Sequence, residues 1–289
     1  KIIDYVGGVA DLEGHVIRAI GNADERFAED RLRMLRALRF ASRFAWDIDE
    51  STWRSLVHHS SAILEVSWER IQAELQAMLL ASGRGRAFSM LLESGLGTVL
   101  FPEFEQVSPN ALGETIGMLD MLDADSVSPE LAWATLFQAI DIEALRGATK
   151  RIKLSTELRK SIETILEAQE FPAHAHQATL AELKRFLRSP NARSALTFYS
   201  LRVAIGKGES KALAFLKHEL NLYEELARRG NDLLHPVPLL TGNDLIGMGL
   251  TPGPRIKGLL KELEDAQLNE KISNREEAEE LMRGLIAGE

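Results

Sequence analysis

Asp30, Arg33, Arg36 and Arg39 recur at intervals of three within the run Glu29 to Phe40, EDRLRMLRALRF. On one continuous helix, residues three apart stand on neighbouring turns, so the spacing predicts a row of side chains on one face. A carboxylate accepts hydrogen bonds and a guanidinium donates them. An Asp and an Arg held three residues apart can therefore offer a nucleobase edge the donor and acceptor pattern of another base. Arginines further along the row are placed to reach phosphates. An equally consistent reading is an amphipathic helix whose arginines form a solvated face.

The elements that must position these side chains read as helical almost throughout. Apolar residues recur at spacings of three and four across 28–44, 50–65, 68–81, 86–94, 110–123, 130–140, 156–169, 178–187, 191–205, 210–229, 254–266 and 275–286. Helix starts are marked by Ser67, Ser128-Pro129, Ser155, Ser189-Pro190, Thr251-Pro252 and a capping box at Ser273 to Glu276. No set of alternating strands is evident, and the first dozen residues suggest an extended segment. The expected fold class is all-α. Gly95 to Phe104 breaks the helical pattern, and Leu234-His235-Pro236-Val237-Pro238 reads as an extended linker.

A chain of 289 residues, 45% hydrophobic and 27% charged, suits two or three small helical subdomains. The absence of cysteine excludes disulfides and thiolate metal sites and is compatible with a reducing cytoplasm. No apolar run approaches the roughly 20 residues of a membrane span, so a cytoplasmic protein is expected. The net charge of −9 opposes general nucleic-acid binding, yet residues 18–43 carry seven arginines against four acids, a local balance of +3. Lys150, Arg151, Lys153, Arg159 and Lys160, with Lys184, Arg185 and Arg188, are placed to meet phosphates or, more plainly, to form solvated helix surface. His58-His59 and His174-Ala175-His176 lack partners at metal-ligand spacing, and no metal site is expected. Gly83-Arg84-Gly85-Arg86 and Gly206-Lys207-Gly208 lack the spacing of a phosphate loop and read as turns.

Asp4 to Leu12, Ile17-Arg18-Ala19-Ile20-Gly21 and Arg26 to Arg43, in that order, resemble the family of CCA-adding tRNA nucleotidyltransferases and bacterial poly(A) polymerases. The resemblance implies that Glu29, Asp30 and Arg33 form the EDxxR motif, in which Asp30 and Arg33 select ATP or CTP by pairing with its base. It places Arg36 and Arg39 in the nucleotide pocket. Glu69-Arg70-Ile71-Gln72-Ala73-Glu74-Leu75 matches the family's ERIxxEL motif, which implies that Arg70 and Glu74 brace the template helix. Asp4, Gly8 and Asp11 belong to the motif joining a catalytic head to the neck, and Leu240 to Pro254 resembles the opening of the family's tail. Small departures include Arg31 where a proline is common.

The implied organisation is a junction remnant (1–12), a neck with the template helix (13–100), a helical body (101–235) and an RNA-binding tail (236–289). The family's head carries a Gly-Gly-x-x-Arg-Asp signature and an Asp-x-Asp pair holding two Mg²⁺ ions, and neither has a counterpart here. Asp123-Ala124-Asp125 is closest in form but reads as a helix-end turn. The expectation is thus a nucleotide- and RNA-binding part of an enzyme that adds CCA to tRNA 3′ ends, with ATP and CTP as substrates and the tRNA acceptor arm as partner. By itself it is expected to bind but not to polymerise. Alternatives are a poly(A) polymerase, an enzyme adding only A or only CC, and a head-less RNA-binding protein.

Overall fold

Packing follows the apolar stripes. The structure, a computed structural model, describes residues 3–123, 127–230 and 232–287. Two compact units result, one of residues 1–169 with 197–208 and the other of residues 170–196 with 209–289.

The first unit runs through α1 (Gly8–Glu13), β1 (Val16–Ile17), α2 (Ala23–Glu29), α3 (Arg33–Phe44), β2 (Asp47–Ile48), α4 (Glu50–His58), α5 (Trp68–Leu80), α6 (Arg84–Glu93), α7 (Leu96–Leu100), α8 (Pro109–Met121), α9 (Pro129–Leu136), α10 (Ile142–Arg151) and α11 (Thr156–Glu167). The second holds α12 (Phe171–His174) and α13 (Leu180–Leu187). The chain passes between the units within α14 (Ala192–Ala204), and α15 (Ser210–Arg228), α16 (Gly242–Gly247), α17 (Pro254–Leu268) and α18 (Arg275–Ala287) complete the second. The all-α class holds. Among the described residues no helix is long and apolar enough to cross a membrane.

α3 shows how the pattern works. Met34, Leu35, Leu38 and Ala41 are fully buried, and the helix packs through them on α5 and α6. Burying each large side chain contributes about 2 kcal/mol from transfer alone. The intervening arginines are left at the surface or its edge. Beneath, Phe88, Phe101, Phe104, Trp133 and Phe137 form one aromatic cluster with centroid spacings such as 5.3 Å for Phe88 to Phe104 and 5.5 Å for Trp133 to Phe137. This core continues across residue 100 without a break. In the second unit two separate cores form, one from Ala175 to Leu234 and one from Leu240 to Met282.

Two local expectations are corrected. The segment 28–44 is not one helix: α2 ends at Glu29, Asp30 is extended (φ −151°, ψ 103°), and α3 starts at Arg33. The Asp30 side chain accepts a hydrogen bond from the Leu32 backbone N–H at 3.1 Å, a local turn that competes with the helical ladder. Residues 3–12 are not an extended segment either. Asp4 accepts from the backbone N–H groups of Val6, Gly8 and Val9 at 2.9–3.0 Å and so starts α1. The extended pieces are instead β1 and β2, paired in parallel with Val16 opposite Asp47 and Ile17 opposite Ile48.

Candidate functional site

Arg70 and Glu74 lie four residues apart on α5 and both reach toward the start of α3. The Arg70 Nη2 donates to both oxygens of Asp30, at 2.9 and 3.1 Å. Glu74, buried, accepts from Arg36 Nε at 3.0 Å through one oxygen and from Arg39 Nε at 2.8 Å through the other. One carboxylate thus bridges two arginines on successive turns of α3. Glu29, at the end of α2, accepts from Arg33 Nη1 at 2.6 Å and from Arg26 Nη1 at 3.0 Å, and Arg33 Nη1 also donates to the Arg26 backbone carbonyl at 2.9 Å. The neighbouring Arg31 turns away from this row and donates to Glu65 at 3.1 Å.

Burial opposes ionisation of Asp30, but the hydrogen bonds from Arg70 and Leu32 and the charges of Arg70 and Arg33 outweigh it. Its carboxyl stays below the ordinary range. The hydrogen bonds from Arg33 and then Arg26 do the same for Glu29. Both acids are therefore ionised at neutral pH and act as acceptors. Arg33 keeps its Nε and Nη2 groups beyond the bonds just described, and Arg36 keeps both Nη groups.

These free donors border a cavity of about 380 Å³ lined by Arg33, Arg36, Arg18 and Arg26 over an apolar floor that includes Phe27, Ala37 and Phe40. The volume and the mix of an apolar floor with a few fixed polar groups are those of a small-ligand pocket. Of the four residues singled out from the sequence, Arg33 and Arg36 line the cavity, whereas Asp30 and Arg39 do not. Arg18 and Arg26 were not singled out. Their signal lay in the segments around them, Ile17 to Gly21 and Arg26 to Asp30, but no periodicity relates them to the arginines of α3. Arg26 is held by the Ile20 carbonyl at 2.9 Å and by Glu29. Arg18 is held by Asp11 at 3.0 Å and by Asp49, which keep it charged.

The three junction residues thus have defined partners. The Asp4 carboxylate accepts from the Gly8 N–H in the first turn of α1, and Asp11 anchors Arg18. The basic clusters are different from expectation. Lys184 is buried and donates to the Leu268 carbonyl at 3.0 Å and to Glu270 at 2.8 Å. Arg185 and Arg188 share Glu264 at 2.8 Å each. These three tie α13 to α17 and the turn after it rather than meeting phosphate. In the first unit Arg151 is paired with Glu103, Lys153 with Glu69 and Arg159 with Glu163. Among the described residues no three His, Asp or Glu side chains converge as a metal-binding group. In Asp123-Ala124-Asp125, the last two residues lie outside the described residues.

A family pattern described as tRNA nucleotidyltransferase domain 2, putative, matches residues 126–280, more than half of the chain. The chain belongs to the tRNA nucleotidyltransferase family. A second pattern, described as the probable RNA- and SrmB-binding site of polymerase A, matches residues 46–107. The CCA-adding enzyme of Lactococcus lactis subsp. cremoris is 30% identical over 280 residues, covering 95% of this chain and 63% of that relative. The CCA-adding enzyme of Streptococcus thermophilus is 27% identical over 285 residues, covering 96% of this chain and 65% of the relative. This member of the family thus spans about 65% of the length of such relatives. Among solved structures, the Bacillus stearothermophilus CCA-adding enzyme in complex with CTP superposes with a TM-score of 0.76 over 99% of this chain and 69% of that chain, at 23% identity. The Thermotoga maritima CCA-adding enzyme complexed with tRNA superposes at 0.63 over 98% of this chain and 67% of its own, at 19% identity. At these identities the two structures show a shared fold.

Proposed function

We propose that this chain is the nucleotide-selecting and RNA-binding part of a template-independent RNA nucleotidyltransferase that adds CCA to tRNA 3′ ends. The observation that carries the proposal is the pairing of Arg33 and Arg36 on the wall of an apolar-floored cavity, each anchored through part of its guanidinium with the remaining N–H groups free. Cytosine and adenine both present an amino donor beside a ring-nitrogen acceptor, whereas uracil and guanine present a carbonyl acceptor beside an N–H donor. An acceptor from Asp30, which adjoins Arg33 without lining the cavity, and a donor from Arg33 match the first pair and oppose the second. The Asp30 carboxylate accepts three hydrogen bonds in this structure, from Arg70 and Leu32, which leaves room for one more. Arg36 supplies cationic donors within the pocket, and Arg39 shares the Glu74 anchor that fixes Arg36.

The magnesium-dependent transfer step is assigned to the part of the relatives' length that this chain does not cover. Body and tail helices are assigned to the acceptor arm, which a helical surface reads mainly by shape and phosphate contacts. The match of residues 46–107 to a polymerase A segment favours, as a second reading, an enzyme that adds only A.

Calorimetric titration with each of the four nucleoside triphosphates tests the proposal. CTP and ATP should bind in preference to UTP and GTP, and Asp30→Ala should lose on the order of 1–3 kcal/mol of CTP affinity. ATP binding without CTP binding would favour the second reading. Equal affinity for all four triphosphates, unchanged by Asp30→Ala, would dismiss the base-selecting role.

A further inference from the structure

The C-terminal turns of α3 carry aromatic rings into solvent. Phe40 and Phe44, one turn apart, are 37% and 47% exposed, with near-parallel rings (6°) whose centroids lie 6.1 Å apart. Trp46 continues the row 5.3 Å from Phe44, and His15 stacks on Trp46 at 5.1 Å and 21°. Two cations border the rings: the Arg39 guanidinium is 4.4 Å from the Phe40 centroid and that of Arg43 is 5.7 Å from the Phe44 centroid. Arg43 is exposed and has no ion-pair partner among the described residues. Asp47, which follows Trp46 in the chain, is paired with Arg86 at 2.9 Å.

Single exposed apolar side chains are ordinary, but four adjoining rings flanked by guanidinium groups form a specific surface. Parallel rings 6.1 Å apart are offset rather than face to face, so ring area stays open to a further planar group. Open π-faces alternating with cations are the two features a single-stranded nucleic acid engages, bases on the rings and phosphates on the charges. An apolar protein partner would use the rings and leave the cation unmatched. Phe40 also lines the nucleotide cavity, so the row begins at the pocket and leads away from it.

We propose that Phe40, Phe44, Trp46 and His15 form a stacking platform for the unpaired bases of an RNA 3′ end, with Arg43 on its phosphates. This rests on the nucleotide-pocket reading, because a strand being extended must end beside the incoming nucleotide. The platform orders the last bases so that the terminal one faces the cavity.

The test is fluorescence anisotropy of a 5′-labelled oligocytidylate of about six nucleotides with the 289-residue chain, alongside calorimetry with CTP. Phe44→Ala should weaken oligonucleotide binding on the order of tenfold. Phe44→Leu should be as weak, because it keeps apolar bulk and loses the π-face, and Phe44→Trp should restore binding. Arg43→Ala should lower the slope of log affinity against log salt by about 0.7. Full affinity in Phe44→Leu or Phe44→Ala would overturn the platform. Unmodified chain that binds CTP but not the oligonucleotide would overturn the platform alone, and chain that binds neither would overturn the pocket reading with it.

Discussion

Glu74→Ala should destabilise the first unit by about 2–4 kcal/mol, and the number follows from how the two arginines differ. The Arg39 side chain is 18% exposed and Glu74 11%, so their bond at 2.8 Å is largely shielded, in the range of about 1.5–3 kcal/mol for a charged hydrogen bond. Arg36 is 49% exposed, and its share is that of a surface pair, up to about 1 kcal/mol. Glu74→Gln should cost about half as much, because the amide keeps one acceptor oxygen and turns an NH₂ group toward the other arginine. Urea unfolding followed by tryptophan fluorescence reads this unit selectively, since all four tryptophans, Trp46, Trp53, Trp68 and Trp133, lie within it. A double-mutant cycle with Arg39→Ala should show coupling of about 1–2 kcal/mol, and one with Arg36→Ala less than about 1 kcal/mol. Glu74 does not line the cavity, yet CTP affinity should fall in Glu74→Gln, because Arg36 loses its fixed orientation. A loss below about 0.5 kcal/mol, or no coupling to Arg39, would refute the bridging role.

Other consequences concern pH, backbone and the second unit. Glu29, Asp30 and Glu264 have carboxyls held below their ordinary values, so the stability they contribute is complete above about pH 5 and is lost as pH falls through the folded-state values. The urea midpoint should be flat from about pH 6 to 8 and fall below about pH 4; a midpoint unchanged down to about pH 3 would contradict the assignment. Gly83 starts α6 at φ +70°, and an added Cβ would stand 2.3 Å from the Ser42 carbonyl oxygen. Gly83→Ala should therefore cost about 2 kcal/mol or more, measured by the same unfolding transition. Lys184→Met should cost the second unit about 2 kcal/mol by orphaning the Leu268 carbonyl. Helix circular dichroism should report that loss, while a transition no different from the parent chain would show the buried ammonium to be dispensable.

Local information in the sequence determined most of the helices. Ser128 and Ser155, marked as starts, accept from Leu131 and Leu158 as N-caps, because cap and first turn are neighbours along the chain. The four-residue spacing of Arg70 and Glu74 likewise fixed their common face on α5. What periodicity could not determine was the partner of each charge. Asp30 leaves the helix because its carboxylate bonds Leu32 locally and Arg70 forty residues away, so the evenly spaced row from Asp30 to Arg39 is broken at its first member. Arg18 and Arg26 join Arg33 and Arg36 around one cavity because β1 pairs with β2 and α2 folds back on α3. Lys184, Arg185 and Arg188 resemble a solvated basic face in sequence and become internal ties, since α17 brings carboxylates and a carbonyl to them from some eighty residues away. Backbone geometry repeats every few residues and is written in composition and spacing. The pairing of ionic side chains depends on which helices meet, and that is decided by the packing of their apolar stripes.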